Sequence, residues 1–224
     1  SVMSWGVIIL CLFLLVSVID LVLLIVKKST PTILDGIGLV LAVCVAAYTG
    51  ILLGDAGTAF PLWNMAILPL LFVVSALSTG FALVVLITRA IAKEELAAIR
   101  FIGKTEIALP LLEALLIIAL LAVSAFSAGS QSAAGAASVS SLISGSYALA
   151  FWIGLVAVGL VAPFVLNTVL QKRLHGVESA KEELSSAEAI PSWTPFVASA
   201  CVIIGGFMLR YLIVMAAVPV GVAS

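Results

Sequence analysis

A few residues capable of chemistry stand out because the segments around them are almost wholly apolar. The stretch AAYTGILLGDAGTAFPLWN, residues 46–64, places Tyr48, Thr49, Gly50, Asp55, Trp63 and Asn64 between two long apolar runs. Arg210 interrupts a third run, within GGFMLRYLIVMA. Asp20 and Glu113 interrupt two more, Arg89 closes another, and Ser75, Ser78 and Thr79 lie together on that same run. A phenol can hydrogen-bond a carbonyl, a guanidinium can stabilise developing oxyanion charge, and a carboxylate can exchange protons with water. Tyr48, Arg210 and Asp55 near one interface would suit a molecule with an apolar tail and a polar head, which is the shape of a quinone.

Each of these residues also has a plainer reading. Arg210 could bond helix carbonyls or pair with Asp55, and Glu113 could pair with Arg89 or Arg100. Asp20 could reach towards Lys27 or Lys28, and Asn64 could cap a helix. Trp5, Trp63 and Trp193 fit the aromatic belts found at membrane interfaces. Ser75, Ser78 and Thr79 could simply bond neighbouring helices.

The elements that must position these groups follow from composition. Of the 224 residues, 64% are hydrophobic and 9% charged, with a mean hydropathy of +1.36. A water-soluble domain carries about a quarter charged residues, so the protein belongs in a membrane. About 20 apolar residues span the hydrocarbon as a helix. Six segments qualify, at about 5–26, 33–53, 61–91, 106–127, 147–170 and 194–218. Their continuous apolar character excludes alternating barrel strands. The expected architecture is an all-α polytopic membrane domain over 1–224. Pro69, Pro110 and Pro163 are expected to kink their spans, and the third span is long enough to tilt or break near Pro69.

Charge then orients the helices. Nine of the ten basic residues fall in connections on one side, Arg210 being the exception. The positive-inside rule makes that side cytoplasmic and puts both termini of the sequence outside. Residues 46–64 therefore face out. The small-residue connection 128–146 on the same side is expected to be a flexible linker, and 172–190 a solvated cytoplasmic link with room for a short amphipathic helix. At about 1.5 Å of rise per residue, Tyr48 and Arg210 should share the outer third of the membrane, and Asp20 and Glu113 its inner half.

Some cofactors are excluded by residue type. His175 is the only histidine and sits in the 172–190 connection, so haem held between two membrane histidines, copper and di-iron sites are not expected in this protein. Cys11, Cys44 and Cys201 lie in apolar runs without CxxC spacing and read as small membrane-buried residues. There is no phosphate-binding glycine loop and no nucleophile–histidine pairing. No nucleic-acid partner is expected.

MSWGVIILCLFLLVS (3–17), AAYTGILLGD (46–55), PLWNMAILPLLFVVSALSTGFAL (61–83) and GGFMLRYLIVMA (205–216) occur in that order. Together they resemble the NrfD/PsrC family, the integral membrane subunits of polysulfide-reductase-like molybdopterin oxidoreductase complexes. The resemblance implies a helical subunit that exchanges electrons between membrane menaquinone or ubiquinone and an iron–sulfur, ferredoxin-like subunit on the outer face of a prokaryotic cytoplasmic membrane. A molybdopterin catalytic subunit would lie beyond it. Iron–sulfur clusters and molybdopterin would belong to those partners. It implies Tyr48 as the quinone contact and Arg210 as the matching residue of the last helix, with Thr49, Gly50, Asp55, Trp63 and Asn64 around them. A proton path through Asp20, Ser78, Arg89 and Glu113 could accompany the electrons. Family members have about two helices before the Ser-Trp-Gly element, here at Ser4, so about two N-terminal helices are expected to be missing from this sequence. The alternatives are a transporter using its buried charges for translocation, which should show paired broken helices, and a purely structural anchor.

Overall fold

The computed structural model describes residues 2–91, 100–127, 129–169 and 194–221. The described residues are helical and turn segments without strands. Helix α1 is Val2–Lys27, α2 Thr32–Asp55, α3 Leu68–Ile91 and α4 Arg100–Ala125. A short 3₁₀ turn, Gly129–Gln131, leads into α5, Ser132–Ile143. Helix α6 is Ala150–Val169, and α7 is Thr194–Met215. All of these except α5 are long and apolar enough to cross a membrane, six candidate spans among the described residues. The 172–190 connection and Trp193 lie outside the described residues.

Local chemistry sets the helix ends. Lys28 closes α1 at φ 56°, its N–H bonded to the Leu24 carbonyl, and the Pro31 carbonyl accepts the first N–H bonds of α2. The expected third span, 61–91, is helical only from Leu68. Before it, Asn64 Oδ1 accepts the N–H groups of Ala66 and Ile67 at 3.0 and 3.3 Å, and the Asn64 carbonyl accepts that of Leu68. Pro69 therefore falls in a first turn, where its missing N–H has no partner to lose, so it starts the helix instead of kinking it. Pro110 lies inside α4 as expected. The first part of α6, Ala150–Val161, is π-helical, so Gly154 and Gly159, five residues apart, fall on one face, towards α7.

Helix α3 is the centre of the bundle, packing against α2, α4 and α7. Helix α1 packs on α2, and α6 packs on α7. Close approaches depend on missing side chains: a Cβ on Gly50 would stand 2.5 Å from the Pro69 Cα, and one on Gly205 would run into the Gly159 backbone. The core is Leu62, Leu68, Leu71, Phe72, Leu120, Leu155, Leu209 and Leu212 with their neighbours. Most apolar residues of α1 and α2 remain exposed, as lipid-facing side chains should.

The 128–146 connection is not a plain linker. Its helix α5 buries Ala134, Gly135, Ser138 and Leu142 against the end of the bundle away from the basic connections. Three segments are tied together there. Gln131 Nε2 donates to the Thr58 carbonyl, Ser124 Oγ to that of Pro61, and Ser141 Oγ to that of Ala216. Ser138 Oγ accepts the Val218 N–H at 2.9 Å, and the Val220 N–H reaches the Ala59 carbonyl. Residues 56–67, α5 and 216–221 thus form one hydrogen-bonded cap.

Candidate functional site

The stretch 46–64 runs from the last turns of α2 into this cap. The Tyr48 ring lies over Gly6, where any side chain would collide with it, and its hydroxyl donates to the Met3 carbonyl at 3.4 Å. That is a long, weak bond, beyond the usual O–H···O range. Thr49 donates to the Ala46 carbonyl of its own helix. Gly50 is buried under Leu68 and Pro69, and Asp55 is exposed at the end of α2. Trp63 is half-buried, its Nε1–H bonded to the Ile213 carbonyl at 2.9 Å and its ring 4.3 Å from that of Phe60. It ties the cap to α7 from inside, whereas Trp5 is exposed as an anchoring tryptophan would be. Asn64 spends its side chain on the start of α3.

Arg210 turns the other way. Its Nη1–H donates to the Gly206 carbonyl at 3.2 Å, its guanidinium carbon stands 5.9 Å from the Phe72 ring centre, and Ser75 flanks Gly206. It also acts electrostatically on Glu113 of α4. Glu113 is 5% exposed and Ser75 fully buried. Ser75 faces the Glu113 carboxyl, yet neither Glu113 Oε1 nor Ser75 Oγ has a hydrogen-bond partner among the described residues. Arg210, Glu113, Ser75 and Phe72 therefore form one polar centre inside the bundle.

The expected start of the fourth span, 106, agrees with the apolar stretch of α4 from Ile107, which precedes Glu113 by six residues. Glu113 nevertheless faces Ser75 and lies within electrostatic reach of Arg210, so groups expected at different depths meet inside the bundle. Tyr48 contacts α1, and Arg210 contacts Phe72 of α3, so the two do not share partners. Asp20 lies on α1 with Oδ1 buried and unpartnered among the described residues, and α2 and α3 intervene between it and Glu113. Arg89 lies in the last turn of α3. Ser78 is buried one turn from Ser75, and Thr79 donates to the Ser75 carbonyl at 2.8 Å.

A match to the family described as polysulphide reductase, NrfD, extends over residues 1–222. The protein belongs to this family. It is similar to the protein NrfD of Escherichia coli K12, 29% identical over 187 residues, which are 82% of the present sequence and 52% of that protein. It is also similar to the C subunit of polysulfide reductase from Wolinella succinogenes, 32% identical over 157 residues, or 65% of the present sequence and 44% of the relative. A NrfD homologue of Haemophilus influenzae is 29% identical over 138 residues, 60% of the present sequence and 41% of its own. The protein thus spans about half the length of the relatives it matches. No solved structure matches it.

This NrfD-family protein is a multi-pass membrane protein, and its family is consistent with a membrane subunit of an oxidoreductase complex. Among the described residues, no three His, Cys, Asp or Glu side chains gather as a metal ion would require. Two buried polar residues, Asn167 and Ser199, escape the sequence reading although they lie near the centre. Asn167 is the lone amide of its span, and that signal could have found it.

Proposed function

We propose that this protein is the quinone- or quinol-interacting membrane subunit of a respiratory oxidoreductase complex. It exchanges electrons between the quinone pool and an iron–sulfur partner docked on the cap, with a molybdopterin catalytic subunit beyond. In this reading the basic connections face the cytoplasm and the cap faces out, which the distribution of lysine and arginine supports. The supporting observation is the state of Tyr48: a phenol near the cap, whose hydrogen bond among the described residues is one of 3.4 Å to the Met3 carbonyl. A donor so weakly engaged can turn to a quinone oxygen at little cost. Trp63 and Asn64 are committed to structure, so in this reading they shape the site. Thr49 adjoins Tyr48 in the sequence, and the exposed Asp55 at the end of the same helix has access to water. Arg210 and Glu113 form the internal charge centre that handles protons released or taken up by the quinone.

The test is quinol oxidation by the purified complex, wild type against Tyr48→Phe. The phenol reading expects quinol turnover to fall by roughly tenfold or more, since the lost donor acts on developing charge. The partner's activity with a soluble artificial donor should survive. Unchanged quinol turnover would move the head group away from Tyr48 and leave this stretch as an interface anchor.

A further inference from the structure

One helical turn towards the basic end from Ser75 and Glu113, a water-sized cavity opens between α3, α4, α6 and α7. Ser78, Asn167, Ser199 and Pro110 line it with apolar side chains. Ser78, Asn167 and Ser199 are 4%, 4% and 3% exposed. Among the described residues their side chains make no hydrogen bond. A buried carboxamide offers two donors and one acceptor group, and leaving them unmet in an apolar interior costs several kcal/mol. Pro110, on the same wall, withholds an N–H from the carbonyl four residues earlier, which adds an acceptor on the basic side. A cavity that admits a water molecule and offers two to four polar partners is occupied by water; an apolar one of the same size stays dry.

We infer that the cavity bounded by Ser78, Asn167 and Ser199 is a binding site for ordered water, and that this water connects Glu113 to the basic end of the bundle as a proton relay. Helix geometry makes the link. Ser75 and Ser78 are three apart on α3 and share a face. Glu113 follows Pro110 by three on α4, and helical Cα–Cβ bonds tilt towards the N-terminus, so its carboxyl leans towards the cavity. Each oxygen in the relay accepts a proton on one side and releases one on the other. One proton arriving at the basic end thus leaves one on the Glu113 carboxylate, with no other atom transferred. The water site stands on the cavity alone; its role as a relay rests on the proposed quinone chemistry.

The experiment uses the complex with its partner subunits, by cryo-electron microscopy at a resolution that shows waters and by dye-monitored proton exchange in proteoliposomes. Wild type should show water density within hydrogen-bond distance of Asn167. Asn167→Leu, which keeps the shape and removes the polar atoms, should empty the cavity and slow quinone-linked proton exchange about tenfold or more. Activity with a soluble artificial donor should stay unchanged. If Asn167→Leu does not assemble, Ser199→Ala removes one partner without adding bulk and should slow exchange in the same direction. A dry wild-type cavity, or wild-type exchange in the assembled variant, overturns the inference. If Tyr48→Phe leaves quinol turnover unchanged while the cavity holds water, the quinone reading has failed and the water site has not.

Discussion

Replacing Gly205 with alanine tests the packing that sets the height of Arg210. Gly205 and Gly206 face different neighbours: a Cβ on the first meets the backbone of Gly159 on α6, and one on the second meets the Thr79 methyl on α3. Helix α7 is thus pressed between two helices at adjacent residues, one turn before Arg210. The Gly159 backbone cannot rotate away, so Gly205→Ala must separate α6 from α7, at about 1–3 kcal/mol for an overpacked contact. Against this, alanine gains about 0.8–1 kcal/mol of helix propensity over glycine. With the clash at its upper end, the net is about 2 kcal/mol of destabilisation. Gly80→Ala is the control, because nothing lies within 4 Å of its added methyl. It keeps only the propensity gain of up to about 1 kcal/mol. Equilibrium unfolding by sodium dodecyl sulfate in mixed micelles, followed by tryptophan fluorescence, should separate the two variants by about 2–3 kcal/mol. A Gly205→Ala protein as stable as Gly80→Ala would mean that the helices part freely and that this crossing does not position Arg210.

Two further substitutions probe the cap. Ser138→Ala removes the acceptor of the Val218 N–H and should cost about 1–3 kcal/mol, read as faster hydrogen exchange at that amide and earlier proteolysis of the 216–221 segment. Asn64→Ala removes the side-chain bonds to Ala66 and Ile67 and should cost about 1 kcal/mol in the same unfolding assay, with Asn64→Ser restoring most of it.

Much of the fold is legible because hydrocarbon thickness imposes one scale: the first, second, fifth and sixth expected spans lie within a few residues of their helices at both ends. The exceptions have particular causes. Residues 61–67 are as apolar as a helix, but Pro61 and the Asn64 cap make them turns, which hydropathy cannot see. Helix α5 consists largely of alanine, serine and glycine, so it carries little hydrophobic signal; it is stabilised by close approach, as where Gly135 sits against the Ser124 carbonyl. At the site, residue types are readable but partnerships are not. Which polar residues meet depends on how the helices cross, which hydropathy does not carry: the fourth span starts at Ile107, close to expectation, yet Glu113 meets Ser75 of α3 and not Asp20 of α1.

The polar centre is incompletely bonded, and that bears on its role. A carboxylate kept only for structure would be expected to mate fully with Ser75 and Arg210, because buried polar groups are costly when unmet. Here Glu113 Oε1 and Ser75 Oγ lack a well-formed hydrogen bond among the described residues, one helical turn from the cavity lined by Ser78 and Pro110. Such spare capacity is what a group that changes protonation state needs: the anion accepts hydrogen bonds and the neutral acid donates one. The structural and proton-carrying readings therefore predict different outcomes for Glu113→Gln, which keeps the shape and removes the ionisation. Both allow the complex to assemble with unchanged or slightly raised stability, since replacing a buried charge by a neutral group is often neutral or favourable. Only the proton-carrying reading expects quinol-linked turnover and proton release to fall together. If both stay at wild-type levels, Glu113 is a packing residue and the relay ends elsewhere.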